Sequence, residues 1–444
     1  MKKKCNTTFP PSRFPFFYGW VILGAGVVGV LMSTPGQTMG VSVFTEDLLE
    51  DLEINRNSLS LAYLVGTLGS GLLITRAGKL YDRHGARVMA FVAGIILGGM
   101  LLYLARVDAM VRTFDRVSPV ISTFILLSFG FWGIRFFGQG MLTMISRNMV
   151  MKWFNRRRGL ANAFLGIFSA FGFSLAPKIL DHFISLMEWR RTWIMLGMVI
   201  GLAFTLFILV FYRDNPADCG CRADGNLPEG RKRKRPPSLP DHDFTLTEAR
   251  KTLSFWAFTL ALSLSALYIS GFTFHIVSVF ETAGLDREHA LDIFIPVSVI
   301  AIVVQFICGY ASDFIRLKYL LIIFLVGILT TSVGLTMLGD RDLAYWLIIS
   351  GNGFVWGLYT VLIGVTWPRF FGLKNLGAIS GFSLSCAVTG SALGPFLFSL
   401  SLKYVNSYAA AGLACAIISL LLLIPAYLSR NPGLPGPDAS GSLE

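Results

Sequence analysis

Charged residues are scarce in this chain of 444 residues. Asp, Glu, Lys and Arg make up 14% of it, whereas hydrophobic residues make up 54%. Soluble domains carry about a quarter charged residues, so the composition excludes a water-soluble fold for most of the chain. The only long hydrophilic stretch inside the sequence is residues 213–251.

The signatures of enzymes and of metal proteins are also missing. The sequence contains no Walker A motif, so ATP is not the direct energy source. The six cysteines include a Cys219-Gly-Cys221 pair, but this pair has no partner cluster that would complete a metal site. The few histidines and acidic residues do not converge on one helix face. We therefore expect no catalytic activity, no metal and no cofactor.

What the chain does contain is a series of long apolar runs. Each run is long enough to cross a hydrocarbon core of about 30 Å as a helix. The sequence thus predicts an all-α integral membrane protein with twelve transmembrane spans. The predicted spans are 18–44, 58–77, 88–105, 119–146, 159–180, 192–212, 254–280, 290–311, 319–338, 343–367, 377–401 and 408–429.

The net charge of +12 is distributed unevenly between the two sides of the predicted membrane. With the N-terminus placed inside, 27 of the 38 Lys and Arg residues fall in inner segments and nine in outer segments, while Arg135 and Lys178 lie within spans. Such an excess is the positive-inside pattern of membrane proteins. It predicts a plasma-membrane protein, in a bacterium the inner membrane, with both termini cytoplasmic, and it argues against nucleic-acid binding.

The chain divides into two similar halves. We predict an N-terminal six-helix half (1–212), a cytoplasmic linker (213–251), a C-terminal six-helix half (252–430) and a tail (431–444). The segments that end at Pro177 and Pro395 repeat each other at a spacing of 218 residues, and they are the fifth span of each half. Two parallel six-helix repeats are typical of secondary transporters.

The linker combines proline, glycine and charge, which is typical of a mobile connector. Its basic run Arg231–Arg235 is predicted to contact anionic lipid headgroups. Its end, "FTLTEARKT", predicts a short helix capped by Thr245 or Thr247.

Two motifs carry a resemblance to a known family. "GKLYDRHGAR" at 78–87 resembles the G-x-L-x-D-R-x-G-x-R loop signature of the major facilitator superfamily, and "RFFGQG" at 135–140 resembles its fourth-span motif. Other segments, such as "FYGWVILGAG" and "WFNRRRGLANAFLGIFSAFG", are similar to the branch of oxalate/formate antiporters and monocarboxylate transporters. The resemblance implies transport by alternating access.

The resemblance also implies a gate on the inner side. Gly78 would allow close helix packing, Asp82 would accept hydrogen bonds from the inner end of span 11, and Arg83 and Arg87 would hold Asp82 in a charge cluster. A partial second copy at residues 309–318 keeps Gly309 and Asp313, with Lys318 at the position of Arg87. Because Phe314 replaces Arg83 there, we expect this second gate to be weaker.

Arg135 is the main candidate for binding a substrate. It lies near the middle of an apolar span, where a charge costs roughly 2.5–3.5 kcal/mol on insertion scales. No Asp or Glu occurs at comparable depth in any predicted span, so an anionic substrate could supply the missing charge. The alternative is that Arg135 bonds backbone carbonyls and Gln139 in a packing or gating role.

Further candidates follow from polar or aromatic residues at membrane depth. The Pro-Gly pair in span 1 predicts a helix break beside a cavity, and His275 could carry a proton or lie in the membrane interface. The predicted substrate-binding set is Arg135, Gln37, Thr38, Tyr63, Gln139, His275, Gln305, Asn352, Trp356 and Tyr359.

We therefore expect a monomeric secondary active transporter of a small organic anion, coupled to a proton or to a counter-anion. Related carboxylate carriers place basic residues in span 8 or span 11, and this chain has none there, which favours a monocarboxylate over a dicarboxylate. Two alternatives stay open. One is a transporter of a neutral or amphipathic solute in which Arg135 only gates, and the other is a non-transporting membrane sensor.

Overall fold

The computed structural model describes residues 11, 14–113, 119–224, 240, 242–285, 287–339 and 342–432. These residues are almost entirely helical, and no strand occurs among them. The described chain divides into two compact units. The first lies within Met1–Phe154 and Phe168–Leu227, and the second within Asn155–Ile167 and Pro228–Glu444.

Among the described residues, the first unit contains ten α-helices, the ninth of which is shared with the second unit. They are α1 (Gly19–Leu31), α2 (Thr38–Ser42), α3 (Thr45–Asp51), α4 (Arg56–His84), α5 (Ala86–Leu104), α6 (Val107–Thr113), α7 (Pro119–Ile134), α8 (Thr143–Trp153), α9 (Arg158–Met198) and α10 (Thr205–Phe211). Two π-helical segments, Arg135–Leu142 and Val199–Phe204, join α7 to α8 and α9 to α10.

The described part of the second unit contains nine further α-helices. They are α11 (Leu246–Ala249), α12 (Leu253–Phe274), α13 (Ile276–Thr282), α14 (Arg287–Asp292), α15 (Phe294–Ser312), α16 (Leu317–Thr336), α17 (Asp342–Phe371), α18 (Leu376–Val405) and α19 (Ala409–Leu428). The N-terminal residues of α9 also belong to this unit.

The apolar runs form helices because only a helix satisfies every backbone N–H and C=O group within one segment in lipid. Ten helical segments of the described chain are long and apolar enough to cross a membrane. One of them, Arg158–Phe211, holds two predicted spans separated at Glu188, and a shorter apolar helix covers Gly19–Leu31. The predicted all-α membrane fold is confirmed.

The corner at Glu188 has an unusual backbone. Glu188 has φ 69° and ψ 160°, a conformation that L-residues with side chains rarely adopt. Its carbonyl accepts a hydrogen bond from Thr192 Oγ1 at 2.8 Å. Arg190, two residues later, forms ion pairs with Asp51 at 2.9 Å and with Asp108 at 2.8 Å. These contacts stabilise the turn between the two predicted spans. The turn contains a single non-helical residue, Glu188.

Two predicted inner segments are more helical than expected. The segment 76–87, predicted as a loop, is helical up to His84, and the next helix begins at Ala86. The reversal needs only Gly85, whose φ of 85° a side chain would disfavour. The span predicted to end at residue 146 likewise continues to Trp153.

The end of the linker is ordered as the sequence predicts. Thr245 caps helix α11, because its Oγ1 accepts a hydrogen bond from the N–H of Glu248 while the Glu248 carboxylate accepts one from the N–H of Thr245. Asp243, just before the cap, accepts hydrogen bonds from the N–H groups of Leu373 at 2.8 Å and Lys374 at 3.2 Å. The basic run Arg231–Arg235 lies outside the described residues.

Candidate functional site

The site in the first unit begins at the predicted break in the first span. Helix α1 ends at Leu31, one 3₁₀ turn covers Thr34–Gly36, and α2 starts at Thr38. Pro35 lies within the 3₁₀ turn and has no N–H to donate to a helical ladder. The predicted break is therefore present, and it places side-chain hydroxyl and amide groups beside freed backbone groups.

A π-helical segment packs directly against this break. π-Helical turns are rare and often occur at functional sites, and here one begins at Arg135 itself. Gly36 allows the close approach, since a Cβ added to it would lie 2.2 Å from the carbonyl oxygen of Ile134. The backbone contact between Gly36 and the segment Arg135–Leu142 thus brings the Arg135 side chain to the break.

Arg135 is almost completely buried, with 1% of its surface exposed. Its Nη1 donates to the carbonyl oxygen of Gly36 at 3.2 Å and to Oγ1 of Thr38 at 3.3 Å. Its guanidinium carbon lies 5.1 Å from the ring centre of Tyr63, which is a cation–π contact. The hydroxyl of Tyr63 in turn donates to Thr38 Oγ1 at 3.0 Å.

The charge of Arg135 has no counter-charge within the described part of the chain. Its hydrogen-bond acceptors are a carbonyl and a hydroxyl, and no described carboxylate forms an ion pair with it. Its Nε is buried without a hydrogen-bond partner among the described residues. A buried cation held only by neutral groups can attract an anion.

A second group of hydrogen bonds lies next to Arg135. Gln37 Nε2 donates to Ser33 Oγ at 3.0 Å and to Thr143 Oγ1 at 3.3 Å, and Thr143 Oγ1 donates to Ser33 Oγ at 3.1 Å. The N–H of Gln139 lies against Gly36, and its Oε1 is buried without a hydrogen-bond partner among the described residues.

The structure therefore brings together five predicted residues in the first unit: Arg135, Gln37, Thr38, Tyr63 and Gln139. Ser33, which also belongs to this group, lies in the helix break that the sequence predicts beside a cavity. Thr143 was not predicted, although it carries a hydroxyl group in the same span as Arg135.

The candidates in the second unit are spread over separate contacts. His275 follows helix α12, and its Nε2 lies 2.9 Å from the carbonyl oxygen of Pro395. Gln305 is buried in α15 and donates to the carbonyl oxygen of Ala163 at 3.0 Å. Tyr359 lies half-buried in α17. His275 and Gln305 therefore make separate contacts.

Asn352 and Trp356 line one small pocket of the second unit. The other lining residues are Phe272, Thr273, Ile293, Phe294 and Val297. Asn352 Nδ2 donates to Thr331 Oγ1 at 2.9 Å, and Thr331 also bonds the buried Tyr268 hydroxyl at 3.0 Å. Tyr268 and Thr331 were not predicted, because their contact joins two helices that are distant in sequence.

The first gate motif, residues 78–87, is anchored by residues far away in the sequence. Arg87 donates to the carbonyl oxygen of Leu209. Asp214 accepts from the N–H of Ala86 at 3.1 Å and from Lys152 Nζ at 3.0 Å. Lys152 and Asp214 were not predicted, because nothing in the local sequence shows which chain segments meet there.

The remaining residues of this motif are Gly78, Asp82 and Arg83. Gly78 and Asp82 lie in the last two turns of α4, and Arg83 is exposed at its end. The contact predicted between Asp82 and the inner end of span 11 stays a prediction.

The second gate motif, residues 309–318, shows how such a carboxylate can bind a helix terminus. Asp313 accepts hydrogen bonds from the N–H groups of Gly159 at 2.8 Å and Leu160 at 3.3 Å, at the start of α9. Gly309 packs there too, since a Cβ added to it would lie 2.7 Å from Cβ of Ala163.

The basic neighbour of Asp313 is not Lys318. Lys318 Nζ lies 3.5 Å from the carbonyl oxygen of Tyr427 and 5.3 Å from its ring. Arg369 instead donates to the carbonyl oxygens of Ser312 and Ile315, on either side of Asp313. Burial raises the pKa of Asp313 to about 6, although its hydrogen bonds and the charges of Arg369 and Arg158 act in the opposite direction.

Most of the chain is similar to one known protein family. The family model of the Major Facilitator Superfamily matches residues 26–395 of this chain. The chain is 25% identical over 326 residues to the uncharacterized MFS-type transporter YhjX of Escherichia coli K12. This alignment covers 71% of this chain and 72% of that protein. It is 24% identical over 423 residues to a probable hexose phosphate transport protein of Chlamydia trachomatis, covering 87% and 86%.

The chain is also similar to part of a third transporter and to two solved structures. A probable L-galactonate transporter of Escherichia coli K12 is 26% identical over 175 residues, which is 39% of this chain and 35% of that protein. The proton:xylose symporter XylE superposes with a TM-score of 0.60 at 19% identity, covering 93% of this chain and 95% of XylE. The human organic anion transporter MFSD10 gives a TM-score of 0.61 at 12% identity, covering 92% and 99%. Both structures share the fold.

Proposed function

This chain belongs to the Major Facilitator Superfamily, and we propose that it moves a small organic anion across the membrane by alternating access. It is a membrane transporter and not an enzyme. The anion is a monocarboxylate in this proposal, and its movement is coupled to a proton or to a counter-anion.

The observation that carries the proposal is the uncompensated charge of Arg135. A cation inside a membrane span needs an anion, a water-filled cavity or several acceptors to offset its desolvation. Arg135 has two neutral acceptors and an aromatic ring within the first unit. A carboxylate bound near this group would supply the missing charge.

The charge balance favours a monoanion over a phosphate ester. A phosphate monoester carries about −1.5 to −2 charges at pH 7, whereas a carboxylate carries one. Arg135 supplies a single positive charge, which matches a carboxylate. The relatives named for hexose phosphate and for L-galactonate both handle organic anions according to their names, which supports the broader class of substrate.

The arrangement of the chain in the membrane is also part of the proposal. Six spans lie in residues 1–212 and six in residues 252–430, with the linker 213–251 and the tail 431–444 in the cytoplasm of a bacterium. The excess of Lys and Arg in the inner segments supports this orientation. The protein works as a monomer in this scheme.

Uptake into proteoliposomes tests the proposal. Radiolabelled lactate, pyruvate, formate, galactonate and glucose 6-phosphate are offered with and without a pH gradient or a trans anion. We expect a monocarboxylate to be taken up and either the gradient or the trans anion to accelerate it. Uptake of no carboxylate, or uptake that ignores both driving forces, would contradict the proposal.

Replacement of one arginine tests the role of Arg135. Hydrogen bonds to a charged group are worth about 1.5–3 kcal/mol, so Arg135→Gln should lower the apparent affinity for the anion by about tenfold or more. Arg112→Gln is the matched control, because the Arg112 side chain is 77% exposed. Equal uptake by both variants would remove Arg135 from the site.

A second candidate function rests on the hydrogen bond from Arg135 to the carbonyl oxygen of Gly36. That contact stabilises the helix break, which is a structural role that a carrier of neutral solutes would also need. Counterflow of labelled glucose or xylose, together with no uptake of any carboxylate, would favour this alternative.

A further inference from the structure

Thr38 is hydrogen-bonded in a way that determines the direction of its hydroxyl. A threonine hydroxyl has one donor and two acceptor positions. Both acceptor positions of Thr38 Oγ1 are occupied, one by Arg135 Nη1 at 3.3 Å and the other by the Tyr63 hydroxyl at 3.0 Å. Arg135 can only donate, so the Thr38 hydroxyl must direct its own hydrogen elsewhere.

The hydroxyl hydrogen of Thr38 has no acceptor among the described residues. Thr38 is exposed, and its hydroxyl donates to no described residue, whereas Arg135 behind it is 1% exposed. The positive charge of Arg135, which is screened little because it is buried, increases the polarity of the Thr38 O–H bond. An oxygen that carries negative charge is the favoured acceptor for such a donor.

Gln37 offers the complementary group next to Thr38. Its Nε2 uses both N–H donors, one toward Ser33 and one toward Thr143. These bonds leave Oε1 as an acceptor, and it receives no hydrogen bond from a described residue. A donor at Thr38 and an acceptor at Gln37 are therefore neighbours at the helix break.

We infer that the Thr38 hydroxyl donates a hydrogen bond to the anionic oxygen of the substrate. The Gln37 Oε1 atom accepts a hydrogen bond from a hydroxyl group of the same molecule. Arg135 and Tyr63 act on the substrate through Thr38 and position its hydroxyl. A donor for a carboxylate beside an acceptor for a hydroxyl selects hydroxycarboxylates over plain carboxylates. This inference rests on the proposed transport of a monocarboxylate and adds the substrate class and the contacting atoms.

Pairs of acids that differ in hydroxyl groups test the substrate class. Binding of L-lactate is compared with that of propionate, and binding of D-gluconate with that of hexanoate, by calorimetry on the purified full-length protein. We expect the hydroxy acid to bind at least tenfold more tightly in one of the pairs, and Gln37→Leu to remove that preference. Equal affinities within both pairs would overturn the assignment of Gln37.

A double-mutant cycle tests whether Arg135 acts through Thr38. Thr38→Ser keeps the donor, so its affinity should stay within threefold of wild type, whereas Thr38→Val should bind the acid at least tenfold more weakly. Combining Thr38→Val with Arg135→Gln should cause no further loss of affinity, because both substitutions remove the same contact with the substrate. Ser42→Ala, in the same short helix, is the control that should bind normally.

The possible failures are distinguishable. If Thr38→Val binds normally while Arg135→Gln does not, the anion contacts Arg135 directly, and only the inference about Thr38 is wrong. If the double variant loses affinity by the product of the two single losses, the anion again contacts Arg135 directly, and only the inference about Thr38 is wrong. If wild type binds none of the four acids but binds glucose, the proposed function itself fails. Thermal unfolding confirms that each variant is folded, and Thr38→Ala replaces Thr38→Val if the latter is not.

Discussion

Buried basic side chains in this protein find partners in different ways. Lys152 pairs with Asp214, Arg369 donates to two carbonyl oxygens, and Arg135 depends on neutral groups. The sequence alone predicted the unusual position of Arg135, because a charge within a long apolar run is visible without a structure. It could not predict Thr38 as the partner of Arg135, since that contact depends on how the first and fourth spans pack.

The raised pKa of Asp313 makes the protein less stable as the pH rises. Its pKa is about 6 in the folded protein, above the ordinary 3.8, so the folded state binds a proton more readily than the unfolded state between these values. The contribution of Asp313 to stability is therefore complete below about pH 3.8 and is lost as the pH rises through about 6. The difference is at most roughly 3 kcal/mol.

Thermal unfolding of Asp313→Asn measures this effect. Asn cannot ionise, so the melting temperature of wild type relative to the variant should be higher at pH 5 than at pH 7. A difference that is the same at both values would show that Asp313 stays ionised. Glu281→Gln, at an exposed carboxylate, serves as the control.

At the scale of helices, the sequence predicts starts and breaks better than ends. Pro35 and Gly36 marked the break in the first span, and Thr245 marked the cap of α11, because these residue types act locally. The continuation of α4 to His84 was missed, since its charged residues resemble a loop. The local sequence does not predict the π-helical segment that begins at Arg135. This segment packs against Gly36, which is distant in the sequence.

The close contact at Gly36 predicts the effect of one added methyl group. Gly36→Ala places a Cβ 2.2 Å from the carbonyl oxygen of Ile134, so the break and the π-helical segment must separate. We expect a loss of roughly 1–3 kcal/mol in stability and a loss of anion binding. Calorimetric binding and thermal unfolding measure the two effects.

Gly24→Ala is the matched control for this experiment. A Cβ at Gly24, in the middle of α1, meets nothing within 4 Å. Because alanine favours a helix over glycine, this variant should be as stable as wild type or slightly more stable. Similar behaviour of the two variants would contradict the importance of the Gly36 contact.

The contact of Asp243 with the turn before α18 holds the end of the linker in place. Asp243 binds the turn before α18 through the N–H groups of Leu373 and Lys374, and Gly372 there has φ 84°. Asp243→Asn should weaken these charge-assisted bonds and release the segment 242–252. Tryptic cleavage after Arg250 and Lys251, followed by mass spectrometry, should become several-fold faster. Unchanged cleavage would show that the contacts at Phe244 and Asn375 suffice.

At the scale of the whole molecule, long apolar runs make the fold class predictable. Lipid requires every backbone polar group to be satisfied within a helix, so composition and length decide the architecture. The segments that end at Pro177 and at Pro395 repeat each other in sequence, and the two six-helix halves that this repeat indicates stay a prediction. The substrate was not predictable in the same way, since it depends on a few side chains whose contacts are non-local.

The charge asymmetry predicts the orientation of the chain. Green fluorescent protein fused after residue 444 should fluoresce in bacterial cells, because it folds in the cytoplasm, whereas alkaline phosphatase at the same position should be inactive. Fusions within 106–118, a predicted outer segment, should show the reverse pattern. An active C-terminal phosphatase would contradict the positive-inside assignment.

The turn at Glu188 has a consequence for how the protein is made. Two predicted spans meet there with a single non-helical residue between them, so no extended loop separates them. We expect the insertion machinery to release both spans into lipid together, as a helical hairpin. An epitope inserted at residue 188 would therefore disturb biogenesis, even though the position is exposed in the finished protein.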